Sequence, residues 1–61
     1  MKAPAPLTVL VVDDEQRSLE TLRRTLEDDF TVYTAQSAED GEAIMAREFV
    51  HIVLSLSLIH I

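Results

Sequence analysis

The chain has no cysteine and no tryptophan, and it has a single glycine. Without cysteine it can form neither a disulfide framework nor a thiolate metal site, which fits a reducing compartment. Both prolines lie within residues 1–6, so no proline interrupts the rest of the chain. With 61 residues the protein forms one domain at most, and its core is small.

Basic residues are scarce. The chain has 5 lysines and arginines against 11 aspartates and glutamates, which gives a formal net charge of −6. Binding to a phosphate backbone requires lysine and arginine side chains that release counterions. The composition therefore argues against nucleic acid as a direct partner.

The chain also lacks a long apolar run. Residues 49–61 carry no Lys, Arg, Asp or Glu, but a membrane helix needs about 20 apolar residues, which is more than this segment offers. The first residues have a short apolar run that ends in three acids, unlike a secretory signal. We therefore expect a soluble, cytoplasmic protein with no membrane partner.

The first half of the chain predicts a strand and then a helix. Leu7–Val12 is a continuous apolar run, typical of a strand that is buried on both faces of a parallel sheet. After three acidic residues the apolar period becomes helical as far as about Asp28, and Asp13 with Gln16 has the spacing of a capping box. The predicted buried stripe of this helix is Leu19, Leu22 and Leu26.

The second half repeats this order. Phe30–Ala35 alternates as a strand, Ser37 is a good residue to begin a helix, and Val50–Leu54 is a third apolar strand. The order β-α-β-α-β with short connections predicts an α/β fold with a parallel sheet. The predicted buried stripe of the second helix is Ala38, Gly41, Ile44 and Met45, and the glycine is expected where this helix approaches the sheet closely.

Two adjacent carboxylates, Asp13 and Asp14, follow the first strand. Open α/β sheets bind ligands at the carboxyl ends of their strands, and Mg²⁺ is commonly held by one or two carboxylates and several waters. In the simpler interpretation, one aspartate caps the helix and the other is solvated. The spacing alone gives the two interpretations similar weight.

Several segments in order resemble the receiver domain of response regulators. They are Val9–Glu15, the helix with Leu19, Leu22 and Leu26, Val32–Ala35, Ser37–Ala43 and His51–Ser55. The resemblance covers residues 7–55 and only the N-terminal half of that domain. It implies an incomplete flavodoxin-like fold, with a three-stranded parallel sheet in the order 2-1-3. Residues 1–6 are predicted to be a disordered lead-in, and residues 56–61 an apolar tail foreign to the family.

The resemblance also implies a role in phosphorelay signal transduction, with a sensor histidine kinase as partner. Asp13 and Asp14 match the acidic pair that helps to bind Mg²⁺ in the family, Asp14 as direct ligand and Asp13 through water. Carboxylates that meet an anionic phosphoryl group need such a cation. By this resemblance the protein is a signalling module and not an enzyme.

The chain departs from the family at the position of the phosphoacceptor aspartate, where Leu56 stands. A leucine can be neither nucleophile nor metal ligand, and Ser55 and Ser57 have no base beside them in the sequence. We therefore expect no phosphorylation of the chain, and at most weak Mg²⁺ binding. We interpret the chain as a truncated or frame-broken receiver whose third strand is an exposed edge, through which the chain could self-associate.

Two alternatives remain open at this stage. One is a pseudo-receiver that acts as a binding or dimerisation module without phosphate. The other is a fragment of a metal-dependent phosphohydrolase-like enzyme, which the missing third acid weakens. His51 and His60 have no acid or second ligand at a useful spacing, and Tyr33 is interpreted as a packed strand residue.

Overall fold

A computed structural model describes residues 7–56. The predicted disordered lead-in, residues 1–6, lies outside the described residues, and so does the predicted tail beyond Leu56. The described part contains three strands and two helices in the predicted order: β1 (Thr8–Val12), α1 (Gln16–Leu26), β2 (Thr31–Ala35), α2 (Ala38–Arg47) and β3 (Ile52–Ser55).

The strands form one parallel sheet in the order β2-β1-β3, which confirms the predicted α/β class and strand order. In the register, Val12 lies opposite Ala35 of β2 and opposite Ser55 of β3. The carboxyl ends of the three strands are therefore level with one another. This is the arrangement of the first half of a flavodoxin-like fold.

The predicted burial of β1 on both faces is confirmed. Leu10 and Val11 are fully buried, and they belong to different hydrophobic clusters because they point to opposite faces of the sheet. On one face Val9 and Val11 pack with Leu19 of α1. The cluster on the other face consists of Leu10, Val12, Ala35 and Ile44 of α2.

The helices bury most of the side chains that their spacing predicted. Leu19 is buried, and Leu22 and Leu26 are half-buried against the same cluster. In α2 the prediction is wrong for Met45, which is 46% exposed. The reason is the placement of α2: it packs on β1 and β2, and no described element covers the β3 side of that face.

Gly41 confirms the predicted close approach of α2 to the sheet. A Cβ atom at this position would lie 3.4 Å from Val12 Cγ2 and 3.6 Å from Leu10 Cδ2. The helix therefore packs directly on the central strand, at a distance at which a Cβ atom would just make van der Waals contact. A glycine inside a helix costs about 1 kcal/mol relative to alanine, and this close packing offsets part of that cost.

The third strand differs from its prediction in position, but it is exposed at the edge of the sheet, as expected. It begins at Ile52 rather than at Val50. All four of its residues are exposed, and the exposed fraction of Val53 is 49%. Within residues 7–56 no strand pairs with its outer edge. Neither described helix has the length and apolar character that a membrane crossing requires.

Candidate functional site

The candidate site lies where the three strands end. The Asp13 backbone N–H donates a hydrogen bond to the Ala35 carbonyl at 3.0 Å, and the Leu56 N–H donates one to the Val12 carbonyl at 3.0 Å. These bonds continue the two ladders by one residue beyond the strands. Asp13 therefore lies between the end of β2 and the end of β3, and position 56 is its neighbour in the register.

The two aspartates have different environments. Asp13 is 6% exposed, whereas Asp14 is exposed to solvent. The Asp13 Oδ1 accepts a hydrogen bond from the Glu15 backbone N–H at 3.3 Å, which closes the loop between β1 and α1. The predicted capping box is wrong, because the residue at the start of α1 is Glu15 and it makes no side-chain cap.

The loop around Asp13 favours the ionised carboxylate. Burial raises the pKa of Asp13, but hydrogen bonds from the Glu15 backbone and from Asp14 and Ser18 outweigh it. The resulting pKa of Asp13 lies below its ordinary value. A carboxylate that stays ionised at the end of the central strand provides a negative charge where a cation could bind.

The two carboxylates are just enough to bind Mg²⁺, which proteins commonly hold through one or two carboxylates and several waters. Asp14 offers an open carboxylate and Asp13 a second negative charge beside it, and Mg²⁺ completes its shell with waters. Among residues 7–56 no group of three or more His, Cys, Asp or Glu side chains could hold a metal ion. Leu56, at 46% exposure, stands next to Asp13 in the register, and its side chain contributes no oxygen.

The other polar residues considered from the sequence lie away from this site or outside the described residues. His51 precedes β3 and lies at the amino ends of the strands, away from the site, where its Nδ1 accepts a hydrogen bond from the Thr8 N–H at 3.0 Å. His60 and Ser57 lie outside the described part of the chain. Ser55 is the last residue of β3, opposite Val12.

Tyr33 is a packed strand residue, as its position in the sequence indicated. It lies in β2 against the cluster that includes Ile44, and its hydroxyl donates a hydrogen bond to Glu48 Oε1 at 3.1 Å. This hydrogen bond and burial raise the pKa of the Tyr33 phenol above its ordinary value. The bond ties β2 to the end of α2.

A groove that was not predicted from the sequence runs along the outer edge of β2, between α1 and α2. Its volume is about 650 Å³. Residues of both helices line it, including Arg23 of α1 and Arg47 of α2. These residues are far apart in the chain, so only the topology of the sheet brings them to one cavity.

Comparison with known proteins relates this α/β chain to transcriptional regulators. It is 51% identical over 47 residues to the hydrogenase transcriptional regulatory protein HoxA of Cupriavidus necator, and 51% identical over 47 residues to HoxA of Bradyrhizobium diazoefficiens. The match covers 77% of this chain and 10% of each relative. No family model and no solved structure matches the chain.

The chain thus spans about a tenth of the length of the curated relatives that it matches. Identity of this level over 47 residues shows that the chain is related to one part of these regulators. Both relatives are named as regulators of transcription rather than as enzymes.

Proposed function

We propose that the chain is the N-terminal half of a response-regulator receiver domain that acts in phosphorelay signal transduction. The observation that carries this proposal is the acidic pair at the carboxyl end of the central strand, with position 56 beside Asp13 in the register. The identity to two transcriptional regulators supports it, because a receiver is a part of a regulator and not a complete enzyme.

In this proposal Asp13 and Asp14 form the cation-binding half of a phosphoryl-acceptor site. Mg²⁺, when bound, would neutralise the charge between these carboxylates and an anionic phosphoryl group. Asp14, which is exposed, would contact the ion directly. Asp13, held by the Glu15 N–H, would act through a water molecule and keep the loop in position.

The acceptor residue is missing from this chain, and the function that it can perform is limited accordingly. Leu56 stands beside Asp13 where the proposal requires a carboxylate nucleophile. The sensor histidine kinase proposed as partner would therefore find no aspartate at position 56 to phosphorylate. The protein would act in signalling only through what it binds.

Phosphorylation of the whole 61-residue chain tests this limit. Incubation with acetyl phosphate and Mg²⁺, followed by intact-mass measurement, is expected to give no phosphoryl adduct. A hydroxylamine-labile adduct would contradict the proposal, because it would require an acyl phosphate on a carboxylate that we have not assigned.

A gain-of-function variant tests the geometry of the site itself. Leu56→Asp adds a third carboxylate next to Asp13, and we expect Mg²⁺ affinity to rise roughly tenfold because a further negative charge faces the ion. Mg²⁺ titration followed by NMR of the Asp13, Asp14 and residue 56 amides measures the effect. The matched control, Leu54→Asp, places the same charge two residues before the proposed site and is expected to leave the affinity unchanged. Equal gains in both variants would argue against a site at the ends of the strands.

The leucine at position 56 favours one alternative function. If the gene encodes this leucine, the chain is a pseudo-receiver, which binds or dimerises without phosphate. Sequencing the genomic DNA across codon 56 separates the two. An Asp codon there, followed by codons for Pro and Gly, supports an ordinary receiver with a foreign tail at residues 56–61. A Leu codon followed by the same tail supports the pseudo-receiver.

A further inference from the structure

The groove along β2 is bounded on three sides by described elements. Its floor is the outer edge of β2 with Thr34 and Ala35, one wall is α1 with Leu19, and the other wall is α2 with Ile44. Its volume of about 650 Å³ falls within the range of ligand-binding clefts in proteins. The groove is distinct from the acidic pair of the proposed function.

The floor of the groove presents unpaired backbone groups. The Thr31 N–H bonds to the Leu7 carbonyl, and the Ala35 carbonyl accepts from the Asp13 N–H, so alternate residues of β2 point towards β1. Thr34, which lines the groove, and Val32, which continues the same strand edge outside the lining, therefore point their N–H and C=O groups outwards. Within residues 7–56 no strand pairs with this edge.

The two helices place positive charge at one end of the groove and negative charge towards the other. Both helices follow a strand through a short loop and run back along the sheet, so their last turns lie near the amino end of β2. Arg23 and Arg47 line the groove from these last turns. Asp40, in the first turn of α2, lines it near the carboxyl end of β2, and Glu20 lines it from α1, three residues before Arg23.

The two arginines remain able to bind a further anion. Arg23 Nη1 lies 3.2 Å from Glu27 Oε1, but both side chains are nearly half-exposed, and such surface pairs contribute little. Arg47 makes no ion pair with any residue in the described range 7–56. Guanidinium groups on both sides of one strand edge can hold a carboxylate between them.

We propose that this groove binds an extended peptide segment that adds to β2 as a fourth strand and places a carboxylate beside Arg23 and Arg47. Backbone hydrogen bonds to Val32 and Thr34 would supply affinity, as in other cases of strand addition. The two guanidinium groups would select the acidic end. Alternate side chains of the peptide would contact Leu19 on one wall and Ile44 on the other.

The opposite edge of the sheet does not offer an equivalent site. β3 has neither helix beside it, and its side chains are exposed on both faces of the sheet. A segment that added to β3 would gain backbone hydrogen bonds and apolar contacts, but the arginine near its carboxyl end, Arg17, lines a cavity there together with the acidic Glu15. The polarity of the β2 groove is therefore what assigns an acidic-ended peptide to it.

The test uses the full chain and a short peptide, Val-Thr-Val-Thr-Val-Asp, with fluorescein on its amino end and a free carboxyl end. We expect binding by fluorescence anisotropy, together with NMR shift changes and slower solvent exchange at the Val32 and Thr34 amides. Arg47→Gln is expected to weaken binding roughly tenfold, because it removes one of the two charges that face the carboxylate. The matched control is Arg24→Gln, which removes an exposed arginine of α1 outside the groove and is expected to have no such effect.

Two further peptides separate strand addition from simple charge attraction. N-methylation of alternate backbone amides removes the donors that face β2, and it is expected to abolish binding. The amidated peptide with asparagine in place of the aspartate is expected to bind to the native chain at least as weakly as the acidic peptide binds to Arg47→Gln, because it loses the attraction to both arginines. Unchanged binding of the N-methylated peptide, equal losses in Arg24→Gln and Arg47→Gln, or shift changes at Val53 in place of Val32 would each overturn the proposal.

Discussion

The two edges of the sheet have the same kind of backbone but very different surroundings. β2 lies between α1 and α2, and its last residue, Ala35, is 4% exposed. β3 pairs with β1 on one side only and has no helix on either face, and Leu54 in it is 37% exposed. Strand pairing alone therefore does not bury a strand, because helix packing on the faces excludes the water.

The difference follows from the order of the elements. Each helix connects two strands and lies on one face of the sheet, and both helices pack mainly on β1 and β2. The hydrophobic contacts that stabilise the fold are concentrated there, whereas β3 is held by backbone bonds to β1 and by the bond between Thr8 and His51. We expect β3 to open locally at a lower free energy than β1 and β2.

The largest expected effect is the loss of a core side chain from the packed half. Leu10→Ala removes a fully buried side chain and should lower the free energy of unfolding by about 2–5 kcal/mol. Val53→Ala removes a side chain that is 49% exposed and should cost less than about 1 kcal/mol. Urea denaturation followed by circular dichroism measures both. Similar losses in the two variants would contradict the difference between the edges.

The next effect concerns association through the exposed edge. β3 presents apolar side chains and an unpaired edge, so a second copy of the chain could add there. We expect the sedimentation coefficient of the native chain to rise with concentration, and Leu54→Lys to suppress this rise because it places a charge in the contact. The control Ala46→Lys adds the same charge at an exposed position of α2 and should leave association unchanged. A native chain that stays monomeric at every concentration would contradict this prediction.

The features that the sequence predicted well are those that local patterns determine. The apolar run of β1 indicated a strand buried on both faces, and the spacing of Leu19, Leu22 and Leu26 indicated the buried stripe of α1. Ser37 was predicted to begin α2, and its hydroxyl does accept a hydrogen bond from the Asp40 N–H at 3.1 Å. Each of these depends on residues a few positions apart.

The errors concern features that depend on pairing between distant residues. The apolar pattern began the third strand at Val50, but the register pairs Val9 with Ile52 and so sets the first residue of β3. Aspartate is a common residue type at the start of a helix, which is why Asp13 was predicted to cap α1. Its N–H instead donates a hydrogen bond to the Ala35 carbonyl and extends the pairing of β1 with β2, so Asp13 lies before the helix. The β2 groove combines residues from α1, β2 and α2, so only the folded arrangement reveals it.

A smaller effect on the free energy of unfolding is expected at Asp13, which lies between the carboxyl ends of β2 and β3. In the folded chain the pKa of the Asp13 carboxyl lies below its ordinary value. The ionised carboxylate therefore adds to the free energy of unfolding at any pH above the pKa that Asp13 has in the unfolded chain. This stability is lost as the pH falls through the lower, folded-state value. Acid titration of the urea midpoint should therefore show a decrease that Asp13→Asn flattens. Glu42→Gln, which removes an exposed carboxylate of α2, should retain the decrease, and a flattened profile in that variant would contradict the assignment.

The smallest expected effect tests how tightly α2 packs on the β1–β2 half. In Gly41→Ala the added Cβ would lie 3.4 Å from Val12 Cγ2, an ordinary contact, so the gain in helix propensity should dominate and stabilise the chain by up to about 1 kcal/mol. Ala46→Gly on the exposed side of the same helix should cost about the same amount and thus report propensity without packing. Urea midpoints of the two variants give the comparison. If Gly41→Ala destabilises the chain while Ala46→Gly behaves as expected, α2 has no room to move away from β1, and the packed half is tighter than the distances at Gly41 indicate.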